Sequence, residues 1–288
     1  MTTVLESRLM TKKKSNCSVL LCVYYGNDAE NLKTAIDSIT IEQTAPPEEL
    51  VIVVDGPINE NLNNILVGVK NNYPGTKIVY LAENHGVGYA SNQGLKVCNK
   101  SLVAKMDADD IAEPNRLELQ CREFQNNPDL VLLGGQLAEF DDTTGEVVSI
   151  REVPIDEDKI KKFARRRSPF NNQTVMYKKQ FIDKLGGYPS FNRSEDYYLY
   201  AKVISAGYQV KNLDKVLTKF RLDRDAIKRR RTWHNTKENI IARNNLRKLG
   251  VSSSLDFIIM SIVYIFLFIL PTPLVSLIYR GLRKKCQK

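Results

Sequence analysis

The chain has 288 residues, of which 43% are hydrophobic and 26% are charged, and its formal net charge is +9. This length and composition predict a globular protein with a buried core, built as one large domain or one domain with an appendage. Two histidines exclude a histidine-rich metal centre, and five cysteines without zinc-site spacing favour reduced thiols over a disulfide framework. The first 16 residues hold no apolar stretch of signal-peptide length, so we expect no secretion signal.

The first half of the chain alternates apolar runs with amphipathic segments. Four β-prone runs predict strands at residues 17–25, 50–55, 77–82 and 101–107. Apolar residues at helical spacing predict three intervening helices, the first capped by Asp28 and the last covering residues 87–98. This alternation is typical of βαβ units and predicts the α/β class, with a sheet covered on both faces.

Polar residues follow each of the four predicted strands. They lie at residues 24–28, 55–57, 84–88 and 107–110. Because ligands of such sheets bind at the carboxyl ends of the strands, these clusters predict one cleft of nucleotide size.

The second half of the chain is predicted to mix helices and strands. A helix is predicted to begin near Pro114. A turn signal at residues 141–146 predicts antiparallel strands on either side of that turn. Apolar spacing predicts a further helix from Glu195 to about Gly207.

Three carboxylates, Asp107, Asp109 and Asp110, stand within four positions at the end of the fourth predicted strand. Like charges this close repel, so a cation is needed to neutralise them. Two acidic groups at a strand-to-loop junction suit Mn²⁺ or Mg²⁺, completed by waters and phosphate oxygens. A solvated acidic loop is the alternative for any D-x-D pattern.

Six segments in chain order carry a resemblance to a known family. They are SVLLCVYYGNDAENLKTAIDSI, EELVIVVDGP, ENHGVGYASNQGL, VAKMDADDIAEPNRLELQ, SPFNNQTVMYKK and GGYPSFNRSEDYYLYAKVISAGYQVKNLDKVLTKFR. With them, residues 18 to about 225 resemble a family 2 glycosyltransferase of the bacterial polysaccharide type. The resemblance implies the GT-A fold, in which a Rossmann-like nucleotide-binding half with a mixed sheet meets an acceptor half with antiparallel elements. Two positions depart from the family: Cys22 replaces a frequent proline, and Asp55 follows Val54 where two aspartates are common.

The resemblance also implies roles for individual residues. Asp109 would hold the metal, and Asp107 would contact the ribose or a metal-bound water and so complete the metal site. Asp196 would be the catalytic base of an inverting transfer; its alternative role is that of a helix N-terminal carboxylate stabilised by the dipole. The residues implied to line the nucleotide site are Val23, Tyr24 and Asp55 around the uracil and ribose, with Asn84 and Asn92 in the wall.

Two arginines are further candidates for the nucleotide-sugar site. Arg116 and Arg221 are expected to reach phosphate or sugar, and a surface or ion-pair role is the alternative for both.

Residues 257–279 form an apolar segment of 23 residues without a charge. Pro271 and Pro273 divide it into arms of 14 and 6 residues. At about 1.5 Å per residue the longer arm reaches roughly 21 Å, less than the roughly 30 Å of bilayer hydrocarbon. Because both flanks are basic, we expect a monotopic anchor on the cytosolic membrane face. A single transmembrane helix or a buried helix pair is the alternative.

The sequence thus predicts an N-terminal extension at 1–16, a GT-A glycosyltransferase domain at 17–250 and a membrane-associating tail at 251–288. The predicted function is the metal-dependent, inverting transfer of a hexose from a UDP-sugar to a lipid-linked or growing glycan. The predicted pathway is bacterial lipopolysaccharide O-antigen, capsule or exopolysaccharide synthesis. The predicted location is the cytoplasmic side of the bacterial inner membrane, as a peripheral or monotopic protein.

Two other function classes compete with this prediction. A nucleotidyltransferase acting on a sugar phosphate would need a basic phosphate-cradling loop after the first strand, and YYGNDAEN has no basic residue. A nucleic-acid-binding protein would use the basic clusters at 12–14, 165–167, 228–231 and 283–285. These clusters are dispersed and lack interleaved aromatics, so no nucleic acid partner is predicted. Anionic membrane contact or simple solvation accounts for them equally well.

Overall fold

A computed structural model of the chain describes residues 12–191, 194–222, 232–271, 274–275, 278 and 284–285. The sequence predictions that lie wholly or partly outside these residues include the N-terminal extension, the basic clusters at 228–231 and 283–285, and the membrane-associating tail with its turn at Pro273.

The first half is a parallel sheet with helices between its strands. The strands are β1 (Ser15–Val23), β2 (Pro47–Asp55), β3 (Thr76–Leu81) and β4 (Leu102–Met106), and the helices are α1 (Ala29–Ile39), α2 (Glu60–Asn72) and α3 (Val87–Val97). β1 pairs in parallel with β2 and β4, and β3 pairs in parallel with β2. The four strands and three helices predicted from the apolar pattern are confirmed, with small shifts at their ends.

The second half extends this sheet with antiparallel strands. Its elements are β5 (Ile111–Ala112), α4 (Arg116–Asn126), β6 (Leu130–Phe140), β7 (Val147–Arg151), α5 (Glu157–Ala164), β8 (Met176–Lys178), α6 (Lys179–Lys184), α7 (Glu195–Ser205) and β9 (Gln209–Arg221). β8 pairs antiparallel with both β4 and β6, and β6 continues into the predicted antiparallel hairpin with β7. β9 runs parallel to β6 and antiparallel to β5.

Both helices predicted in this half are confirmed. α4 begins two residues after the proline at position 114. α7 ends at Ser205, and Gly207 follows with a φ of 74°, a left-handed backbone that favours glycine after a helix.

The core lies on both faces of the sheet, as predicted. In β1, Val19 and Leu21 pack with Leu32 and Ile36 of α1, while Leu20 packs in a second cluster on the opposite face. This alternation follows from the period of two residues along a strand. The site therefore rests on a sheet edge that is held from both sides.

The last described elements are α8 (Trp233–Lys248), α9 (Ser254–Ile269) and the short strand β10 (Lys284–Lys285). α8 packs against both α7 and α9, and β10 pairs with β7. Ser253 and Asp256 form a capping box at the start of α9. In the described part of the chain, no helix combines the length and the apolar character that a membrane crossing requires.

Candidate active site

The carboxyl ends of β1, β2 and β4 bring three predicted site residues to one edge of the sheet: Val23, Asp55 and Asp107. The chain moves outward from β1 to β3 and then returns on the other side of β1 as β4. Ligands of open α/β sheets bind where the strand order reverses in this way. Val23 is completely buried, so its place in the uracil and ribose pocket stays a prediction.

Two tyrosines follow β1 at this edge. Tyr24 is 44% exposed, its ring lies edge-on to that of Tyr25, and its backbone N–H donates to Asn27 Oδ1 at 2.8 Å. An exposed ring on a fixed backbone suits stacking against a planar base. The role of Tyr24 in the base pocket stays a prediction.

Asp55 and Asn84 join the turn after β2 to the loop after β3. The Asp55 carboxylate accepts the backbone N–H groups of His85 and Gly86, each at 2.9 Å, and Asn84 Nδ2 donates to the Asp55 carbonyl at 3.1 Å. Gly56 has a φ of 87°, and a Cβ there would meet the Asn84 nitrogen at 2.8 Å. Asp55 therefore shapes the wall of the cleft through hydrogen bonds, and its carboxylate is already engaged.

A small cavity opens where this loop enters α3. It is lined by residues 84–88 and has a volume of about 240 Å³. The first backbone N–H groups of a helix carry partial positive charge, so this cavity favours anionic groups.

The three carboxylates after β4 differ in exposure, but the pKa of each is raised. Burial raises the pKa of Asp107 to about 6, with the charges of Asp109 and Asp196 adding to the rise. Burial also raises the pKa of Asp110 well above its usual value, and desolvation raises that of Asp109. The cluster therefore holds more negative charge than the surrounding protein stabilises.

A buried lysine lies beneath these carboxylates. Lys105 is only 1% exposed, and its Nζ donates to Ser91 Oγ at 3.2 Å and lies 4.0 Å from Cys22 Sγ. Its charge lowers the pKa values of Asp107 and Asp196, against the larger effect of burial. Our sequence reasoning missed this residue, although a lysine inside an apolar strand was a visible signal.

Arg116 does not lie in the cleft, contrary to the expectation that it reaches phosphate or sugar. It is completely buried, and its guanidinium donates to the Lys105 carbonyl at 2.6 Å, to Thr218 Oγ1 at 3.2 Å and to Gln120 Oε1 at 3.2 Å. The guanidinium nitrogens therefore donate to acceptors inside the protein. Arg116 therefore supports β4 from below, because the first turn of α4 faces the sheet.

Arg221, the second arginine, holds the loop after β4 in place. Its Nε donates to the Asp109 carbonyl at 3.2 Å, its backbone N–H donates to Asp110 Oδ1 at 3.3 Å, and its guanidinium pairs with Asp142. The ion-pair alternative considered for Arg221 thus describes its contacts in this structure.

Glu195 and Asp196 begin α7 on the opposite side of the cleft. A Cβ at Gly88 of α3 would lie 3.5 Å from Glu195 Cγ, which places the start of α7 against the start of α3. Burial raises the pKa of Glu195 to about 7 and also raises that of Asp196. The structure thus brings Asp196 close enough to Asp107 for its charge to raise the pKa of Asp107.

Asn92 connects the two halves of the protein. Its side-chain amide donates to the Tyr188 carbonyl at 2.8 Å and accepts the Tyr188 N–H at 2.8 Å. A Cβ at Gly187 would lie 2.4 Å from Asn92 Oδ1, so glycine permits this close approach. Both polar groups of Asn92 are thereby used, and the predicted contact with the nucleotide stays untested.

The carboxylates after β4 fit a hard divalent cation that shares its coordination with a ligand. Within the described residues, no three His, Cys, Asp or Glu side chains lie close enough together to hold a metal ion without other ligands. Asp109 is exposed to the cleft, and no donor in the described part of the chain reaches the buried Oδ2 of Asp110. Two or three carboxylates completed by waters and phosphate oxygens match the preference of Mg²⁺ and Mn²⁺.

The sequence matches the family described as Glycosyl transferase family 2 over residues 18–185, more than half of the chain. The amylovoran biosynthesis glycosyltransferase AmsE of Erwinia amylovora is 36% identical over 223 residues, which cover 77% of this chain and 82% of AmsE. A UDP-Gal:alpha-D-GlcNAc-diphosphoundecaprenol beta-1,3-galactosyltransferase of Escherichia coli is 33% identical over 263 residues, covering 91% of this chain and 94% of that enzyme.

A solved structure shows the same fold. The mannosyltransferase PcManGT from Pyrobaculum calidifontis, in complex with GDP-Man and Mn²⁺, matches with a TM-score of 0.58 at 15% identity. The match covers 97% of this chain and 85% of that one. The GT-A architecture expected from the sequence is thereby confirmed.

Proposed function

The chain belongs to glycosyl transferase family 2, and we propose that it transfers a hexose from a UDP-sugar to a lipid-linked or growing glycan, with inversion. The proposed pathway is lipopolysaccharide O-antigen, capsule or exopolysaccharide synthesis in bacteria. The observation that carries the proposal is one cleft with carboxylates on both sides, Asp107 and Asp109 after β4 and Asp196 at the start of α7. Nucleotidyl transfer is set aside, because the family and its curated relatives are glycosyltransferases.

The donor half supplies the groups that a UDP-sugar needs. Tyr24 offers a stacking face, and the cavity at residues 84–88 offers backbone N–H groups to the diphosphate. The galactosyltransferase of Escherichia coli that resembles this chain is named for a UDP-Gal donor. We therefore assign UDP rather than another nucleotide, and leave the choice among galactose, glucose and N-acetylated hexosamines open.

Asp107 and Asp109 are the residues that would hold Mn²⁺ or Mg²⁺. When bound, the cation supplies positive charge to the departing diphosphate. The protein contributes the orientation of these carboxylates: Arg221 fixes the loop through the Asp109 carbonyl, and Arg116 fixes β4 through the Lys105 carbonyl. The solved mannosyltransferase with the same fold contains Mn²⁺.

Asp196 is the proposed catalytic base. An acceptor hydroxyl is a weak nucleophile, and a carboxylate within hydrogen-bond reach removes its proton as the hydroxyl attacks. A single displacement at the anomeric carbon inverts its configuration. The backbone N–H of Tyr197 donates to Asp196 Oδ1 at 2.7 Å, which holds the carboxylate in one orientation and leaves the second oxygen for the acceptor.

The acceptor is proposed to be membrane-borne, because α9 exposes an apolar face. We call this surface the outer face of α9; it consists of Leu255, Ile258, Ile262, Phe266 and Ile269, which are 52–72% exposed. An apolar face of this size is rare on a protein surface that contacts only water. The sixteen residues of α9 rise about 24 Å, less than the bilayer core, so a position along the membrane surface fits better than a crossing.

Basic and aromatic side chains flank both ends of the outer face of α9. Arg165 and Arg166 lie at its first turn, and Lys237 lies over the ring of Trp233, which packs against Phe268 near its last turn. Cations at both ends with an interfacial tryptophan are typical of a helix that lies on anionic lipid. We place the enzyme on the cytosolic face of the bacterial inner membrane, as a peripheral or monotopic protein.

The test is UDP binding by calorimetry, with and without Mn²⁺. We expect Mn²⁺-dependent binding by the wild type and at least about tenfold weaker binding by Asp109→Asn, since one of few metal ligands is lost. Asp183→Asn, an exposed aspartate of α6 paired with Lys179, is the matched control and should bind as the wild type does. A folded wild type that fails to bind UDP, or an Asp109→Asn variant that binds it normally, would contradict the proposal.

A further inference from the structure

A buried arginine joins three helices beside the proposed base. Arg243 of α8 is 5% exposed, and its Nη1 donates to Tyr197 Oη of α7 at 3.0 Å. Its Nε and Nη2 donate to Tyr264 Oη of α9 at 3.3 and 2.9 Å. The guanidinium carbon lies 5.1 Å from the Tyr197 ring centre and 5.6 Å from that of Tyr264, so the two rings enclose the cation.

This arrangement is more specific than packing requires. No carboxylate in the described residues forms an ion pair with Arg243, so the two tyrosines are its charge-stabilising partners. Burying a cation costs free energy that an apolar side chain of similar volume would not cost. The planar fork of arginine binds both hydroxyls through three nitrogens in one fixed geometry, which the single ammonium nitrogen of lysine does not reproduce.

The contact leads directly to the proposed base. Tyr197 follows Asp196 in α7, and its backbone N–H is the donor that holds Asp196 Oδ1. The Tyr197 hydroxyl, which accepts from Arg243, donates in turn to the Ala164 carbonyl at the end of α5. The side chain of Tyr197 is thus fixed from two directions, and its backbone N–H is fixed with it.

The first turn of α7 receives no cap from the side chain of its N-cap residue. Ser194 occupies the N-cap position with a φ of 56°, a left-handed backbone that is unfavourable for a residue with a side chain, and its hydroxyl caps no N–H. Such a turn persists only where neighbouring contacts hold it. Tyr197 lies in this first turn, and its hydroxyl is held by Arg243 and by the Ala164 carbonyl.

We propose that Arg243 is a positioning residue for the transfer reaction: bound to Tyr197 and Tyr264 together, it ties the start of α7, and with it the Asp196 carboxylate, to the helix pair α8–α9. The inference rests on the proposed function in one respect, the role of Asp196 as the base. Because Tyr264 lies on α9, the helix with the proposed lipid-facing surface also fixes the base.

The experiment compares four variants of the full-length protein: Arg243→Gln, Arg243→Lys, Tyr264→Phe and the matched control Arg247→Gln. Arg247 lies one turn further along α8, is exposed, and hydrogen-bonds Asn244 within the same helix. Tyr264→Phe keeps the ring and removes only the hydroxyl, so it tests the link even if Arg243→Gln folds poorly. Asp196→Asn tests the proposed function separately.

The first measurement is hydrogen exchange of the peptide that covers residues 194–200, with residues 107–117 as an internal reference. It needs no substrate. We expect exchange in 194–200 to accelerate about tenfold in Arg243→Gln, Arg243→Lys and Tyr264→Phe, because each variant loses a hydrogen bond to a charged group. Exchange in the reference peptide should not change. Exchange in 194–200 equal to that of the wild type in all three variants would overturn the inference.

The second measurement is UDP release from UDP-galactose, UDP-glucose and UDP-N-acetylglucosamine, with GlcNAc-diphosphoundecaprenol in vesicles as acceptor. The three variants should lose about tenfold in kcat while UDP binding stays at the wild-type value, since only the base side of the cleft has shifted. A loss of UDP binding equal to the loss of kcat would indicate general unfolding and overturn a positioning role. Turnover by Asp196→Asn at the wild-type rate would instead refute the proposed base.

Discussion

At the scale of single residues, Glu195 and Asp196 have different electrostatic surroundings although they are adjacent. Burial raises the pKa of Glu195 to about 7, and the charge of Asp196 adds to that rise. Burial also raises the pKa of Asp196, but the Tyr197 N–H and the charge of Lys105 oppose it. In a carboxylate pair, the group whose charge is better stabilised suits the role of base. Asp196 is therefore the better candidate for the proposed base, and Glu195 is the carboxyl that stays partly protonated near neutral pH.

Glu195 gives a pH dependence whose sign is fixed by its raised pKa. From the ordinary 4.5 to about 7, the folded protein holds a proton at Glu195 that the unfolded chain releases, so this stabilisation is lost as the pH rises. Glu195→Gln cannot titrate at this position, so the variant does not lose this stabilisation. Its free energy of unfolding relative to that of the wild type should rise between about pH 5 and about pH 7.5, by at most about 1.4 kcal/mol per pH unit. Urea denaturation without divalent cations measures the difference.

The control for this series is Glu60→Gln, which removes an exposed glutamate from the first turn of α2. Its stability difference from the wild type should change little over the same pH range. A difference for Glu195→Gln that is equally flat would contradict the assignment of a raised pKa to this residue.

The sequence located carboxylates better than it located cations. Asp107 and Asp109 follow a strand that any periodicity analysis finds, so their position at the sheet edge could be predicted. Arg116 and Lys105 could not be placed in the same way. Whether a cation faces a cleft or the core depends on which side of its helix or strand packs inward, and the sequence does not show this for a single charged residue. Arg116 shares the buried face of α4 with Gln120, beside the apolar stripe that the sequence shows.

At the scale of elements, α3 is a helix although its sequence has poor intrinsic helix propensity. Its sequence VGYASNQGLKV contains two glycines, Gly88 in the first turn and Gly94 further along, and a glycine in a helix interior costs about 1 kcal/mol relative to alanine. Gly94 explains the choice, since a Cβ there would meet Leu20 Cδ1 at 2.2 Å and Val53 Cγ2 at 2.8 Å. The close approach brings the start of α3 to the cleft. Periodicity could predict the helix, but not how near the sheet it lies.

Gly94→Ala should therefore destabilise the protein although alanine favours helices. Overpacking against β1 and β2 costs about 1–3 kcal/mol, more than the gain of up to about 1 kcal/mol in helix propensity. Gly68→Ala in α2 is the matched control: a Cβ there meets nothing within 4 Å, so stability should rise by up to about 1 kcal/mol. Chemical denaturation measures both, and a Gly94→Ala variant as stable as Gly68→Ala would contradict this account.

At the scale of the whole molecule, the apolar tail was visible in the sequence but its arrangement was not. An apolar run without charges is compatible with a membrane span, a surface helix or a buried pair, because composition does not fix what covers it. In the structure, α9 packs one side on α8 and is tied at its first turn by Asp256, which binds Arg165 and Arg166. The opposite side is the outer face of α9, and it stays uncovered in the described residues.

The outer face of α9 should bind anionic membranes. We expect the wild type to sediment with vesicles that contain phosphatidylglycerol more than with phosphatidylcholine vesicles, since basic side chains flank the face. Ile262→Glu with Ile269→Glu should weaken binding at least about tenfold, because both side chains, 61% and 72% exposed, would bring charge into the lipid interface.

The control places the same charge on another exposed apolar site. Val67→Glu alters a side chain that is 47% exposed on α2, a helix that packs against α1 and β3, and vesicle binding should not change. UDP binding should be equal in all three proteins, which separates membrane attachment from the donor site. If the double variant sediments with anionic vesicles as the wild type does, then α9 is not the membrane contact, and an unseen partner or a second copy of the chain must cover its outer face.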